Sequence, residues 1–147
     1  MKLKVTIDNS GAKKKMKRLF DNSSNLNQAL FEIANLMDSS VEQNFVEEGR
    51  PVKWKALSNR RIGEKEKAGK LDAGILTFSG QLRGSIASNI QGNNVFVGTN
   101  KEYAKDHQEG NAKERIPKRP FLLFQKEDIE EYRDILLDHL LKGMPPT

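Results

Sequence analysis

The sequence contains no cysteine in 147 residues. That excludes disulfide staples, thiol nucleophiles and cysteine-ligated zinc, and it fits a reducing compartment. No run approaches the ~18 apolar residues that a membrane helix needs. The segment Met1 to Asp8 alternates short apolar and polar side chains and lacks the apolar centre of a secretory signal. A soluble chain, kept where it is made and in no contact with a membrane, is the expectation. Catalytic arrangements are missing too. Gly63 and Gly69-Lys70 invite a phosphate-loop reading, but five residues separate the glycines instead of four. Leu71 also stands where a magnesium-binding hydroxyl is required. Ser79 and Ser85 lie near Gly80 and Gly84 without forming a nucleophile elbow. Each of the two histidines, His107 and His139, follows an aspartate directly, and neighbours in sequence do not face each other on a helix. No catalytic residue, metal ligand or cofactor site is expected.

What is present is charge. The chain is 36% hydrophobic and 31% charged, which suits one domain, residues 1–147, with a small core. The net charge of +5 is unevenly spread. Between Arg50 and Lys70 eight bases stand against two acids. A second basic cluster is Lys13, Lys14, Lys15, Lys17 and Arg18. From Lys126 to Lys142 six acids stand against three bases. Opposite charges on separate parts of one small surface suit head-to-tail packing of subunits, or a face turned to nucleic acid. The plain alternative is solvation of loops.

Lys2 to Ile7 reads as a strand, with Leu3, Val5 and Ile7 on one face. After the turn Asp8-Asn9-Ser10-Gly11, Met16, Leu19 and Phe20 make the first apolar patch of a helix, and Asp21 to Asn25 is either a break in it or a polar face. Then Leu26, Leu30, Ile33, Met37, Val41 and Phe45 step by three or four along one stripe of a long helix, which Gly49 and Pro51 end. Residues from about 50 to 73 carry charge without apolar period and read as a basic flexible arm anchored by Trp54. Leu82 to Ile90 and Val95 to Val97 flank the turn Gln91-Gly92-Asn93-Asn94 as a hairpin, with Gly92 and Asn93 suited to positive φ. Pro117 and Pro120 keep the stretch around Arg119 out of any regular element. A last helix runs from about Phe121 or Gln125 to Leu141, with Ile129, Tyr132, Leu136 and Leu140 as its stripe.

Five short blocks, in order, carry a resemblance. They are Phe45-Val-Glu-Glu-Gly-Arg-Pro-Val-Lys-Trp-Lys-Ala-Leu57, Ile75-Leu-Thr-Phe-Ser-Gly-Gln-Leu-Arg-Gly-Ser-Ile86, Val97-Gly-Thr-Asn-Lys-Glu-Tyr-Ala104, His107-Gln-Glu-Gly110 and Ile116-Pro-Lys-Arg-Pro-Phe-Leu122. Together they resemble the virion morphogenesis (tail completion) family of tailed bacteriophages, including Mu-like ones. The resemblance implies an α+β domain: a small antiparallel sheet with a long N-terminal helix packed on it, and a C-terminal helix. It also implies a structural assembly protein, not an enzyme. Such a protein completes the tail or joins tail to head, as an oligomeric ring, and is built into the virion in the host cytoplasm. Its partners would be further copies of itself and other virion proteins of the tail tube, neck or connector.

Within the blocks, Trp54, Tyr103, His107 and Arg119 are the candidate assembly contacts, because Trp, Tyr and Arg most often dominate interfaces. Arg119, bracketed by prolines, suits a bidentate pair with a carboxylate on a neighbour's C-terminal helix. Arg50, Lys53, Lys55, Arg60 and Arg61 are candidate contacts to a partner or to DNA phosphates. A basic module binding DNA without regard to sequence is the alternative function.

Overall fold

Helix α2, Asn27–Val46, is the element on which the rest of the chain is laid. A computed structural model describes residues 10–144; the strand expected at Lys2–Ile7 lies outside the described residues. The order is α1 (Ser10–Ser23), α2, α3 (Asn59–Lys67), a 3-10 turn (Arg83–Ser85), β1 (Ala87–Gln91), β2 (Asn94–Gly98), α4 (Ala104–Glu109) and α5 (Lys126–Leu141). The expected architecture is present: a small antiparallel sheet, a long helix packed on it and a C-terminal helix.

The apolar stripe of α2 decides the packing. Leu30, Ile33, Val41 and Phe45 are buried, with Ala29 and Ala34 beside them. Leu26 and Met37 lie at the margin and are half-buried. The stripe meets two surfaces, the hairpin and α5. On the hairpin, Ser88 and Ile90 of β1 and Val95 and Val97 of β2 are half-buried, while their alternating neighbours stand outside. Gln91 pairs with Asn94, so Gly92 and Asn93 form a two-residue turn. Gly92 takes φ +59°; Asn93 does not share the positive φ expected of it. The hairpin is tied to α2 by Ser88 Oγ donating to Asp38 Oδ2 (2.6 Å), and the 3-10 turn before it by the Arg83–Glu42 ion pair.

Two features differ from the sequence reading, the start of β1 and the order within residues 50–73. Leu82 is buried, but the strand begins only at Ala87. Gly84 N donates to Gly80 O, and Ser85 Oγ to Leu82 O, which winds that segment into a turn. Helix α5 starts at Lys126, where Asp128 Oδ2 accepts from Gln125 N (2.7 Å) and closes the first turn. This draws Asp128 inward, so the half-buried face passes through Tyr132, Ile135, Leu136 and Leu140, and Ile129 points out, 58% exposed. Residues 50–73 are not one irregular loop: they contain α3, whose Ser58 Oγ caps Arg61 N.

Candidate functional site

The end of α2 sets the geometry. Glu48 (φ 55°) and Gly49 (φ 109°) turn the chain sharply, and Gly49 N donates back to Asn44 O (2.9 Å). A Cβ on Gly49 would lie 2.6 Å from Val52 O and 2.7 Å from Trp54 N, so only glycine fits. Trp54 N donates to Glu48 O (2.7 Å), and the reversed chain drops the indole onto Phe45. Their rings meet edge to face at 5.7 Å, and Phe121 lies 5.5 Å from Phe45 on another side. Val41, Ile75, Leu82 and Ala104 complete this core. The five sequence blocks therefore converge in space.

Polar side chains hold the knot from within. Asn44, fully buried, donates through Nδ2 to Phe121 O (2.9 Å) and Leu123 O (2.7 Å) and accepts from Arg50 Nε (2.9 Å). Arg50 Nη2 also donates to Ser40 O (2.8 Å) and Ser40 Oγ (2.9 Å), and Ser40 Oγ donates to Asp128 Oδ2 (2.5 Å). Tyr132 packs beside this chain, and burial, assisted by the charge of Asp128, pushes its hydroxyl pKa up to about 12. Gln108 holds the Pro-rich stretch: its Oε1 accepts from Phe121 N and Leu122 N, and its Nε2 donates to Leu122 O, each at 3.0 Å. Trp54 Nε1 donates to Pro120 O (3.0 Å).

Arg119 belongs to the same system. It is 5% exposed, and it donates through Nε to Lys55 O (2.9 Å) and through Nη2 to Ala56 O (3.1 Å). Its backbone N donates to His107 O (2.7 Å). The fork expected to seize a neighbour's carboxylate is thus occupied by carbonyls of its own chain. Trp54, 7% exposed, is likewise used inside. The physical reason is shared in part: both are large and their polar ends reach main-chain carbonyls, and the turn at Gly49 folds the chain of Trp54, Lys55 and Ala56 back so that the indole meets Phe45 and the two carbonyls meet Arg119. His107 is half-buried, with its ring edge-on to Tyr103 at 6.1 Å between centroids. Burial, reinforced by the Arg119 charge, lowers the His107 pKa. Tyr103, 41% exposed, is the one of these four candidates that stands at the surface.

The basic candidates divide as well. Arg50 is committed to the inner network, so it is no free cation. Arg60 and Arg61 lie outside, and both pair with Glu64 (3.0 and 2.6 Å). Lys53 and Lys55 are exposed. The arm is latched at its far end: the buried Lys65 donates through Nζ to Ala73 O and to Gly74 O (2.8 Å), and Glu48 Oε1 accepts from Ile75 N (2.7 Å). Sequence reasoning missed Asn44, Gln108, Lys65 and Ser40. Asn44 offered one signal, a polar residue lodged between Val41 and Phe45 of an apolar stripe.

Among the described residues, no three His, Asp or Glu side chains gather as a metal would require, and no helix is long and apolar enough to cross a membrane. The side chains of Asn44, Gln108 and Arg119 at the centre are spent largely on main-chain carbonyls and amides, an arrangement that fixes a shape. Residues 7–141 match the profile of the phage virion morphogenesis family. The chain belongs to that family. Mu-like prophage FluMu G protein 2 of Haemophilus influenzae is 36% identical over 117 residues, covering 71% of this chain and 76% of the relative. An uncharacterized protein of Methanocaldococcus jannaschii is 26% identical over 116 residues, covering 77% of this chain and 84% of the relative. No solved structure matches. Membership gives this chain a structural, morphogenetic role in building a phage particle.

Proposed function

We propose that this morphogenesis protein completes the tail or joins it to the head, and does so as a subunit of a self-associating ring. It works by shape and surface, with no catalytic step, among tail-tube, neck or connector proteins in the host cytoplasm. The observation that carries the reading is what the fold leaves outside. Met16, Phe20, Phe31, Ile129, Leu137 and Leu141 are all large, apolar and exposed, although the central knot is tightly closed. Apolar surface of this kind marks contact with other proteins. The test is electron microscopy of particles made without the protein. Tailless heads beside finished tails support action at the joint; tails of abnormal length or loose ends support completion of the tail. Normal infectious particles would refute both.

A second reading, contact with DNA phosphates, draws on the exposed Lys53, Lys55, Lys67 and Lys70. It predicts affinity that falls steeply with salt and ignores sequence. The Glu64 pairs of Arg60 and Arg61 reduce the charge this face can offer.

A further inference from the structure

Helix α1 is turned the wrong way round for a lone subunit. Met16 and Phe20 are 71% and 72% exposed and lie four residues apart, on one face. The side of α1 turned toward the rest of the chain is polar. Asn22 Nδ2 donates to Leu140 O (2.8 Å) and Lys142 O (3.2 Å), and Lys14 and Arg18 line a cleft against Gly143 and Met144. An amphipathic helix on an isolated surface does the reverse and buries its apolar stripe. Helical spacing puts Lys13 and Lys17 alongside Met16 and Phe20.

Helix α5 offers a matching stripe. Ile129, Leu137 and Leu141 are 58%, 46% and 51% exposed and recur at multiples of four residues. Glu130 and Asp134 run beside them on the outer face, also exposed. The charges are opposite. Helix α1 has five bases and one acid; α5 has six acids and two bases. No base of α1 forms an ion pair with another described residue.

We propose that the Met16–Phe20 stripe of α1 docks on the Ile129–Leu137–Leu141 stripe of α5 in a second copy of this chain, with Lys13 and Lys17 facing Glu130 and Asp134. The proposal rests on the self-association reading above and names its surfaces. A second copy is the occupant whose charge suits both helices, although Glu130 and Asp134 also lie beside Lys126 (3.7 Å) and Arg133 (3.0 Å) of their own helix. An anionic lipid surface or DNA attracts α1 and repels α5, whereas the next subunit supplies the acid for one and the base for the other. Because the two stripes are different patches, the contact is heterologous. It leaves a free α1 at one end and a free α5 at the other, which join into a ring where the rotation from subunit to subunit closes.

The experiment is sedimentation of the full chain across a range of concentrations, with circular dichroism confirming the fold of each variant. The wild type associates. Lys13→Glu with Lys17→Glu, and separately Glu130→Lys with Asp134→Lys, each weaken association by about tenfold or more. Mixing the two variants restores it, because each then meets a complementary helix. Met16→Ser with Phe20→Ser, which leaves every charge in place, also weakens association and stands in should a charge variant fail to fold. A wild type that stays monomeric throughout overturns the proposal and the self-association reading together. A wild type that associates, with variants that associate equally well, overturns the surfaces and leaves self-association standing. Folded charge variants that stay apart on mixing overturn the Lys–carboxylate pairing.

Discussion

The centre of the molecule and its outer helices obey opposite rules. At the centre, Phe45, Trp54 and Phe121 are closed against one another, and Asn44, Gln108 and Arg119 satisfy main-chain groups. At the outside, α1 has no buried residue and α5 turns Ile129, Leu137 and Leu141 to solvent. Trp54 and Arg119, of the residue types that dominate protein interfaces, sit in the first region. The surfaces free to meet another molecule sit in the second. For Trp54 and Arg119 the fate of the polar end decides how little of the side chain is left for a neighbour. The indole Nε1 and the guanidinium both end on carbonyls of their own chain.

Substitution at the centre should cost most. Phe121→Ala removes a fully buried ring that touches Phe45. A loss of about 3–5 kcal/mol is expected in urea-unfolding midpoints, while Phe31→Ala on the exposed side of α2 should cost a small fraction of that. Equal losses at the two positions would erase the contrast.

Arg119→Ala is next. It leaves Lys55 O and Ala56 O without their charged donor, at an expected cost of about 2–3 kcal/mol. Arg119→Lys should recover little, because a single ammonium cannot span two carbonyls as the planar fork does. If Arg119→Ala instead kept full stability and lost only assembly, the residue would belong to the outer region after all.

A smaller effect is expected from pH. The folded-state pKa of His107 lies below its ordinary value of 6.5, through burial and then the nearby Arg119 charge. The unfolded chain therefore binds the proton more readily. Stability is full above about pH 6.5 and declines as the pH falls toward the lowered pKa. His107→Gln should flatten that decline in melting temperature between about pH 7 and pH 5. A wild type whose melting temperature rises on acidification would contradict the burial of His107.

Legibility from sequence follows the same division. The stripe of α2 was readable because Leu30, Ile33, Val41 and Phe45 recur at helical spacing and one face is indeed buried. The hairpin was readable from Gly92 and the apolar residues around it. Helix α3 was not, because Asn59–Lys67 holds a single large apolar residue, Ile62, and that is 42% exposed. Its order comes from the Ser58 cap and the Lys65 latch, polar contacts whose partners lie at Arg61 N, Ala73 O and Gly74 O. Such contacts leave no period in the sequence. On α5, Tyr132, Leu136 and Leu140 of the expected stripe are half-buried and Ile129 alone of the four stands outside, where Ser40 and Gln125 hold Asp128 inward instead. The apolar pattern of α1 was visible, but which way it faced was not: Met16, Leu19 and Phe20 read as one apolar patch, and all three lie outside.

That last point gives the weakest expected effect and the sharpest test of the contrast. Met16→Ser with Phe20→Ser should change the stability of the monomer by no more than about 0.5 kcal/mol, the range of ordinary surface substitutions. The measurement belongs in dilute solution, where association contributes least, since any oligomer raises the apparent stability in proportion to the logarithm of concentration. With the centre untouched, the urea midpoint of the variant should coincide with that of the wild type at low concentration. The two should then separate as concentration rises, because only the wild type gains from association. A large loss already present at low concentration would mean that the stripe of α1 is buried within its own chain. The outer region would then follow the same rule as the centre.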